Sequence, residues 1–188
     1  MSDRVRAFLA IRLPRELVEA AARIQAAVRG NVPDGVVRWV DPDNFHLTVR
    51  FFGDLDPGEV ERATAVVQNL RFDEMTVRLG RLSAFPSASR PQILWMGLAS
   101  EDDRLGMFVR DLDRRLREAG FGPADKPWKS HLTLGRIVRG ARVLQGWNRG
   151  ISIPPEEFRL DMLSLMQSEL LPSGARHTAL ATVGARAD

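Results

Sequence analysis

The sequence predicts an α+β fold whose sheets are largely antiparallel. Predicted strands outnumber predicted helices, and in the second half of the chain consecutive strands are joined by short turns, as in hairpins. This order does not fit a doubly wound parallel fold, in which strands and helices alternate. The 188 residues contain no linker-like stretch. We therefore expect residues 1–188 to form one domain, made of two small lobes that share a core.

The first half of the chain is predicted to contain strands separated by two helices. Pro14 stands where a first helical turn tolerates proline, and apolar residues at helical spacing follow it as far as Gly30. After a turn at 41–44 and another strand, Pro57 begins the second helix in the same way. The predicted strands of this half cover residues 6–13, 36–40 and 45–53.

The second half is predicted to contain one helix and a succession of strands. Residues 102–120 are the clearest helix in the sequence, because their apolar residues recur at helical spacing and a glycine ends the segment. We expect a loop at 86–91 and a turn at 171–175, with a basic, glycine-containing stretch after residue 138. The predicted strands of this half cover residues 75–85, 92–99, 130–138, 158–170 and 176–184.

Composition excludes several kinds of site. The sequence contains no cysteine, which rules out disulfides, cysteine–zinc sites and thiolate catalysis, and which fits a reducing cytoplasm. The apolar run near the N-terminus is only a few residues long before Arg12, and no later run is long enough to cross a bilayer. We therefore expect a cytoplasmic protein with neither a signal peptide nor a membrane span.

The charge of the chain is modest and is supplied mainly by arginine. The formal net charge is +3, and Lys126 and Lys129 are the only lysines. Arginine suits phosphate partners, because its guanidinium group grips two phosphate oxygens at once. A solvated surface rich in arginine explains the same composition. A net charge of this size does not by itself indicate nucleic-acid binding.

Two of the three histidines open the same tripeptide, His-Leu-Thr, at His46 and His131. Both copies lie in predicted strands, where alternate side chains share a face. Each histidine therefore faces the same way as the threonine two residues later, Thr48 or Thr133, while the intervening aliphatic residues anchor the strand in the core. A single His-x-Thr is a weak signal, but coincidence is a poor explanation for two copies.

The paired histidines fit some chemistries better than others. A metal site needs three or four ligands, yet neither copy contains a carboxylate and the chain has no HExxH motif. No GxSxG, Walker or GxGxxG motif supports a serine nucleophile or nucleotide-driven chemistry.

Two imidazoles and two hydroxyls suit metal-free phosphodiester chemistry. One neutral imidazole takes a proton from the attacking group, and one protonated imidazole gives a proton to the leaving oxygen. The threonine hydroxyls donate to the non-bridging oxygens, and Arg50 and Arg136 lie close by in the sequence.

The paired motifs resemble those of the 2H phosphoesterase superfamily. More closely, the chain is similar to the RNA 2′,3′-cyclic phosphodiesterase family, historically called 2′-5′ RNA ligases. The similarity extends beyond the tripeptides and covers most of the chain in the expected order. The segments that carry it are RAFLAIRLP (6–14), VRWVDPDNFHLTVRFFGDL (37–55), ILWMGL (93–98), KPWKSHLTLGR (126–136) and LSLMQSELLPSGARHTALAT (163–182).

This resemblance implies a bilobal α+β fold with helices on the outside. Two antiparallel sheets, related by a pseudo-two-fold axis, flank a central groove, and each lobe supplies one histidine motif. It also implies hydrolysis of the 2′,3′-cyclic phosphate at RNA 3′ ends to a 2′-phosphate, without a metal or cofactor, and reversible 2′-5′ joining of RNA. By position, His46 is the general acid and His131 the general base, while Thr48, Thr133 and Arg136 bind the phosphate.

The implied partner is RNA that ends in a 2′,3′-cyclic phosphate, with tRNA fragments among the candidates. No membrane partner is expected. A site that needs only one phosphodiester, on a chain of modest charge, fits a monomer.

Three residues depart from the family pattern or need an interpretation. Ser130 stands where the family usually has proline before the second histidine. Trp128 is an aromatic that could stack on a base, but we assign it to core packing. His177 stands where the family often has tyrosine, and it lacks the His-x-Thr context, so we interpret it as an ordinary strand residue.

The two arginines raise a question of strand geometry. In a regular strand Arg136 faces away from the second histidine, and a bulge at Gly135 is needed to turn it back. Arg50, by contrast, lies four residues after His46, so in a regular strand it faces the same side as His46. We expect it to meet RNA phosphates or to lie exposed at the end of its strand.

Other functions fit parts of the same sequence. A related enzyme acting on 2′,5′-linked oligonucleotides or on a cyclic nucleotide metabolite has the same motifs, because these bind only the phosphate. An RNA-binding module for 3′-phosphate ends also uses arginine and aromatic residues, but it does not require a titrating histidine pair. A structural or interaction protein with incidental histidines is the third alternative.

Overall fold

The structure, a computed structural model, describes residues 4–138, 146–171 and 174–185. The basic stretch at 139–145 and part of the predicted turn, residues 172–173, lie outside this range. The described residues form three α-helices: α1 (Arg15–Gly30), α2 (Pro57–Gln68) and α3 (Arg104–Glu118). They also form nine strands: β1 (Val5–Arg12), β2 (Val37–Trp39), β3 (His46–Leu55), β4 (Met75–Ser87), β5 (Arg90–Ser100), β6 (His131–Ile137), β7 (Glu157–Leu160), β8 (Met162–Leu171) and β9 (Gly174–Gly184).

The strands form two sheets. The first sheet has the order β3-β1-β8-β9, and the second has the order β2-β6-β5-β4-β7. Every strand pairing in the described part of the chain is antiparallel. The predicted α+β class with two antiparallel sheets is therefore confirmed.

The two sheets share one hydrophobic core. In β1, the alternate residues Ala7, Leu9 and Ile11 are fully buried on one face, as the period of two predicts. The cluster of buried side chains to which they belong also contains Leu94 from the second sheet and residues from all three helices. Burial of this apolar surface is the main driving force that holds the two sheets together.

The prolines explain where the first two helices begin. Pro14 directly precedes α1 in an extended conformation. Pro57 is the first residue of α2, where its missing N–H costs no helical hydrogen bond. The Asp56 side chain accepts from the Glu59 backbone N–H at 2.8 Å, and the Glu59 carboxylate accepts from the Asp56 N–H at 2.9 Å. This capping box satisfies two donors at the start of the helix.

The predicted strand at 158–170 is two strands that belong to different sheets. β7 pairs with β4 in the second sheet, whereas β8 pairs with β1 and β9 in the first. The buried positions change parity at the junction, from Phe158 and Leu160 to Leu163 and Leu165. Asp161 lies between the two strands, and its carbonyl accepts from the Ala185 N–H at 2.6 Å.

The connection between β4 and β5 is tighter than the predicted loop at 86–91. β4 continues to Ser87 and β5 begins at Arg90, and these two residues pair across the turn. The Ser87 hydroxyl accepts from the Arg90 N–H at 3.3 Å, which closes the hairpin. Local side-chain to backbone bonds of this kind stabilise turns that a simple count of loop residues overlooks.

Candidate active site

Each His-Leu-Thr motif opens a strand, and the two strands belong to different sheets. His46 opens β3, which pairs with β1, and His131 opens β6, which lies between β2 and β5. β3 and β6 contact each other although they belong to different sheets, and a positive charge on His131 lowers the pKa of His46. The structure thus brings together the histidines that the sequence singled out.

The same hydrogen bond orients each imidazole. Nδ1 of His46 lies 2.8 Å from the carbonyl oxygen of Asn44, and Nδ1 of His131 lies 2.7 Å from that of Lys129. A carbonyl oxygen can only accept, so Nδ1 carries a hydrogen in both rings. Nε2 is therefore the atom that takes up or releases a proton in each histidine.

Both motifs are anchored from behind as the strand alternation predicts. Leu47 and Leu132, which follow the histidines, are almost fully buried. Thr48 and Thr133 are half-buried, like the histidines that precede them. Each motif therefore presents an imidazole and a hydroxyl on a strand whose opposite face is fixed in the core, and such rigidity favours catalysis.

A bulge in β6 returns Arg136 to the side of His131. Thr133 pairs with Trp95, whereas Gly135 pairs with the residue next to Trp95, so one residue of β6 has no partner there. Arg136 is exposed, and its charge lowers the pKa of His131. The expected bulge is present, and Arg136 lies beside the motif. Its binding of phosphate stays a prediction.

A matching bulge in β3 has the opposite consequence for Arg50. The pairing with β1 shifts at Val49, so that Arg50 lies opposite Leu9, on the core side. Arg50 is only 9% exposed, and it donates to Asp113 Oδ1 at 2.7 Å and to the carbonyl of Gly122. The expectation that Arg50 meets RNA phosphates or lies exposed is wrong, because the bulge reverses its parity.

An aromatic side chain and the third histidine pack around His46. The centre of the Phe8 ring lies 4.9 Å from the centre of the His46 ring. The centre of the His177 ring lies 5.3 Å from that of His46, in an edge-to-face arrangement. Our interpretation of His177 as an ordinary strand residue missed this contact. The position of Phe8 could have been predicted from the sequence. It alternates with Ala7, Leu9 and Ile11 along β1 and therefore faces the other side of the sheet. No local pattern in the sequence predicts the contact of His177. It lies on β9 and His46 lies on β3, at opposite edges of the sheet, and β1 and β8 lie between them.

Two aromatic side chains pack around His131 in a similar way. The centres of the Phe85 and Trp95 rings lie 5.0 Å and 5.9 Å from the centre of the His131 ring. Lys129 Nζ lies 4.5 Å above the Trp95 ring, a cation–π contact. Each catalytic candidate is thus packed between rings that limit its rotation and its access to water.

In the substrate-free protein both histidines favour the neutral form. The pKa of His46 is lowered to about 4, mainly by burial; the charges of His177 and His131 act in the same direction, and the hydrogen bond to the backbone opposes them only in part. Burial also lowers the pKa of His131, and the charges of Lys129 and Arg136 act in the same direction. An anion bound between the two rings would raise both pKa values, because its negative charge favours the protonated imidazoles.

Trp128 connects the two motifs. Its indole Nε1 donates to the carbonyl oxygen of Thr48 at 2.9 Å, and this bond joins the segment before β6 to a strand of the other sheet. The ring also packs against the hydrophobic core, which confirms the predicted packing role. Ser130 does not disturb the start of β6, which begins at the next residue.

None of the helices in the described ranges is long and apolar enough to cross a bilayer. Within residues 4–138, 146–171 and 174–185, no group of three His, Asp or Glu side chains is arranged to hold a metal ion.

Comparison with known proteins agrees with this geometry. A family model described as LigT like phosphoesterase matches residues 11–95. An RNA 2′,3′-cyclic phosphodiesterase from Methanothermobacter thermautotrophicus is 31% identical over 183 residues, which cover 93% of this chain and 96% of the relative. The enzyme of the same name from Thermotoga maritima is 26% identical over 179 residues, covering 94% of this chain and 93% of its own.

Solved structures show the same fold. The crystal structure of a Thermus thermophilus protein superimposes with a TM-score of 0.78 at 26% identity, covering 95% of this chain and 97% of that one. Escherichia coli LigT in complex with 3′-AMP has a TM-score of 0.76 at 22% identity, covering 97% and 99%. The chain therefore belongs to the LigT-like phosphoesterases. Within that group, its similarity over nearly full length is to the proteins named RNA 2′,3′-cyclic phosphodiesterase.

Proposed function

We propose that this protein hydrolyses the 2′,3′-cyclic phosphate at RNA 3′ ends to a 2′-phosphate and a 3′-hydroxyl, without a metal ion. The observation that carries the proposal is the matched pair of imidazoles, each with Nδ1 bonded to a carbonyl and Nε2 left for proton transfer. The names of the relatives supply the substrate, because the histidine pair itself specifies only a phosphodiester.

In the proposed reaction, Nε2 of His131 acts as general base and takes a proton from water. The water oxygen bonds to phosphorus, the bond between phosphorus and O3′ breaks, and protonated His46 gives its Nε2 proton to O3′. The products are a 2′-phosphomonoester and a 3′-hydroxyl. The deep packing of His46 favours a group that accepts its proton only when the anionic substrate is bound.

The phosphate is proposed to be bound by Thr48, Thr133 and Arg136. Each threonine lies two residues beyond its histidine on the same strand face, so its hydroxyl reaches a non-bridging oxygen of the same phosphate. Arg136 supplies a positive charge at the His131 side, where negative charge grows in the transition state. These groups fit phosphodiester transfer better than mere binding, because binding requires only cations and donors.

The proposal has further features, which concern a second reaction, the natural substrate, the compartment and the assembly. With an RNA 5′-hydroxyl in place of water as the attacking group, the same step breaks the bond between phosphorus and O3′ and forms a 2′-5′ linkage, and cleavage of that linkage is its reverse. Fragments of tRNA that end in a cyclic phosphate are proposed as natural substrates. We propose a cytoplasmic monomer in which residues 1–188 act as one unit, with one histidine motif from each lobe. The cysteine-free composition supports the compartment.

The test is hydrolysis of an oligoribonucleotide with a 2′,3′-cyclic phosphate end, in the presence of EDTA. The wild-type protein is expected to release a 2′-phosphate, and His46→Ala and His131→Ala are each expected to lose about 100-fold or more in kcat. Thr48→Val is expected to lose activity, whereas the matched control Thr76→Val, at an exposed position on β4, keeps it.

Two outcomes would overturn the proposal. Binding of the oligonucleotide without turnover would make the paired motifs a phosphate clamp and the protein an RNA-end binder. Activity that appears only after a divalent metal is added would contradict the metal-free mechanism. Far-ultraviolet circular dichroism of each variant shows whether a loss of activity reflects a loss of fold.

A further inference from the structure

Two arginines face each other at one edge of the second sheet. Arg38 on β2 pairs directly with Arg136 on β6. The Cα atoms of such a pair lie about 5 Å apart, and the two side chains share one face of the sheet. The bulge in β6 places Arg136 on the side of His131, so Arg38 lies on that side as well. The mechanism above leaves Arg38 unused.

The register of β2 holds Arg38 in this place. Just beyond the strand, the Val40 N–H donates to the carbonyl oxygen of Leu134 on β6 at 2.9 Å. Val37, the residue before Arg38, is 7% exposed and belongs to the hydrophobic core. A slip of one residue would turn Val37 toward solvent, so burial of this side chain keeps Arg38 opposite Arg136.

Both guanidinium groups keep their charge available. Arg38 and Arg136 are exposed, and across the ranges that the structure describes neither lies within ion-pair distance of an Asp or Glu side chain. By contrast, the strand residues Arg78 and Arg176 each pair with a glutamate. Like charges that face each other across a sheet destabilise it. A bound anion removes this repulsion, so the pair is suited to a negatively charged ligand.

A single cyclic phosphate does not account for two free arginines. It carries one negative charge, and Thr48, Thr133 and Arg136 are already proposed to bind it. Arg38 lies one strand farther from His131, a step of about 4.8 Å, on the edge strand of the sheet. At the end of an RNA chain, the next negative charge is the phosphodiester on the 5′ side of the terminal nucleotide, one ribose away from the cyclic phosphate.

We propose that Arg38 binds the phosphodiester on the 5′ side of the nucleotide that carries the cyclic phosphate. The proposal rests on the proposed function and adds a second phosphate subsite to it. Arg136 then serves the phosphate that reacts, and Arg38 serves the phosphate that marks this nucleotide as the end of a chain. Arg38 is thus a specificity residue that favours RNA ends over free nucleoside 2′,3′-cyclic phosphates.

The experiment compares two small substrates that differ only in a 5′-phosphate. Adenosine 2′,3′-cyclic phosphate has only the reacting phosphate, and its 5′-phosphorylated form also carries the group that the subsite binds. For the 5′-phosphorylated substrate, Arg38→Gln is expected to raise KM by about tenfold with kcat nearly unchanged, because one charge-assisted contact is lost. For adenosine 2′,3′-cyclic phosphate, the same variant is expected to behave like wild type. Arg38→Lys keeps a positive charge and is expected to raise KM by a smaller factor.

An oligoribonucleotide with a 2′,3′-cyclic phosphate end tests the salt dependence. The slope of log kcat/KM against log salt concentration is expected to be shallower by about 0.7 in Arg38→Gln, which is the share of one phosphate contact in a single strand. Arg23→Gln is the matched control, because Arg23 is an exposed arginine on α1, a helix whose other face packs in the core. It is expected to leave both small substrates and the salt slope at their wild-type values.

Equal losses for the two small substrates in Arg38→Gln would place Arg38 on the reacting phosphate. An unchanged KM for both, or an unchanged salt slope, would leave Arg38 without a phosphate of its own. Each of these results would overturn the subsite and leave the proposed function intact. Calorimetric titration with adenosine 2′,5′-bisphosphate separates the opposite case. A wild-type protein without turnover that still binds this nucleotide about tenfold more tightly than Arg38→Gln does would overturn the function and keep the subsite.

Discussion

At the scale of the residue, His46 and His131 share a tautomer but differ in environment. Both rings donate through Nδ1 to a carbonyl two residues earlier. His46 is packed beside Phe8 and a second imidazole, that of His177, whereas His131 has Lys129 and Arg136 nearby. In both sites the surroundings favour neutral imidazole, so neither ring is a ready acid until an anion is bound.

The pKa of His46 is the most direct test of this environment. In the free protein His46 is expected to titrate with a pKa of about 4, because burial disfavours the charged ring. His177→Gln is expected to raise that pKa, since it removes a neighbouring positive charge. Inorganic phosphate is expected to raise the pKa of His46 and His131. The measurement is an NMR titration of the imidazole protons, which come from only three histidines.

Assignment by His→Gln variants makes this titration unambiguous. A His46 midpoint close to the ordinary value of about 6.5 would contradict the buried, neutral ring. A phosphate-induced shift confined to His177 would place the anion away from the two motifs.

At the scale of the element, β3 is attached to α3 by a buried ion pair. Arg50 is 9% exposed and Asp113 is 18% exposed, and Arg50 also donates to the carbonyl of Gly122. Asp113→Ala is expected to lower the free energy of unfolding by about 3 kcal/mol, because it leaves a buried guanidinium group without its carboxylate. Glu19→Ala, which breaks the exposed Arg15–Glu19 pair, is expected to change the free energy of unfolding very little, because solvent screens that pair.

Denaturant unfolding followed by circular dichroism measures both changes. Similar small effects in the two variants would mean that the Arg50–Asp113 pair behaves as a surface pair. Arg50→Met combined with Asp113→Leu is expected to recover most of the loss, because a buried pair replaced by apolar groups leaves no unpaired charge.

The bulge in β6 depends on Gly135. A Cβ at this position would lie 2.5 Å from Cγ1 of Val37 and 3.1 Å from Cε3 of Trp39, both on β2. Gly135→Ala is therefore expected to displace β2 or the bulge, at a cost of about 1–3 kcal/mol, and to lower kcat by moving Arg136. In the matched control Gly30→Ala, an added Cβ meets no atom within 4 Å.

The two glycine variants are compared by thermal unfolding and by cyclic-phosphate hydrolysis. Full activity and stability in Gly135→Ala would show that β2 yields without moving the bulge. Loss of activity at wild-type stability would place the effect on Arg136 alone.

At the scale of the whole molecule, the sequence predicts what is local and misses what depends on distant pairing. The repeat of His-Leu-Thr was sufficient to predict that the leucine after each histidine is buried, because strand alternation acts over two residues, while the catalytic role of the histidines stays a prediction. Arg50 was misplaced because a bulge changes parity, and the bulge is set by pairing with β1. The contact of His177 with His46 was missed because the two rings lie on opposite edge strands of the sheet. Only the folded sheet, and no local sequence pattern, shows that these rings meet.

The hydrogen bond from Trp128 Nε1 to the Thr48 carbonyl connects the two sheets, because it joins the segment before β6 to β3. The two histidines, as proposed catalytic groups on different sheets, act together only if the sheets keep a fixed relative position, and an error of about 1 Å can cost about 100-fold in rate. Trp128→Phe keeps an aromatic ring in the core and removes this one donor. It is expected to lower kcat by about tenfold with little change in KM, and to lower the free energy of unfolding by about 1 kcal/mol. A variant that loses stability but keeps its kcat would show that the core alone holds the two motifs in register, and that the indole bond only satisfies a buried polar group.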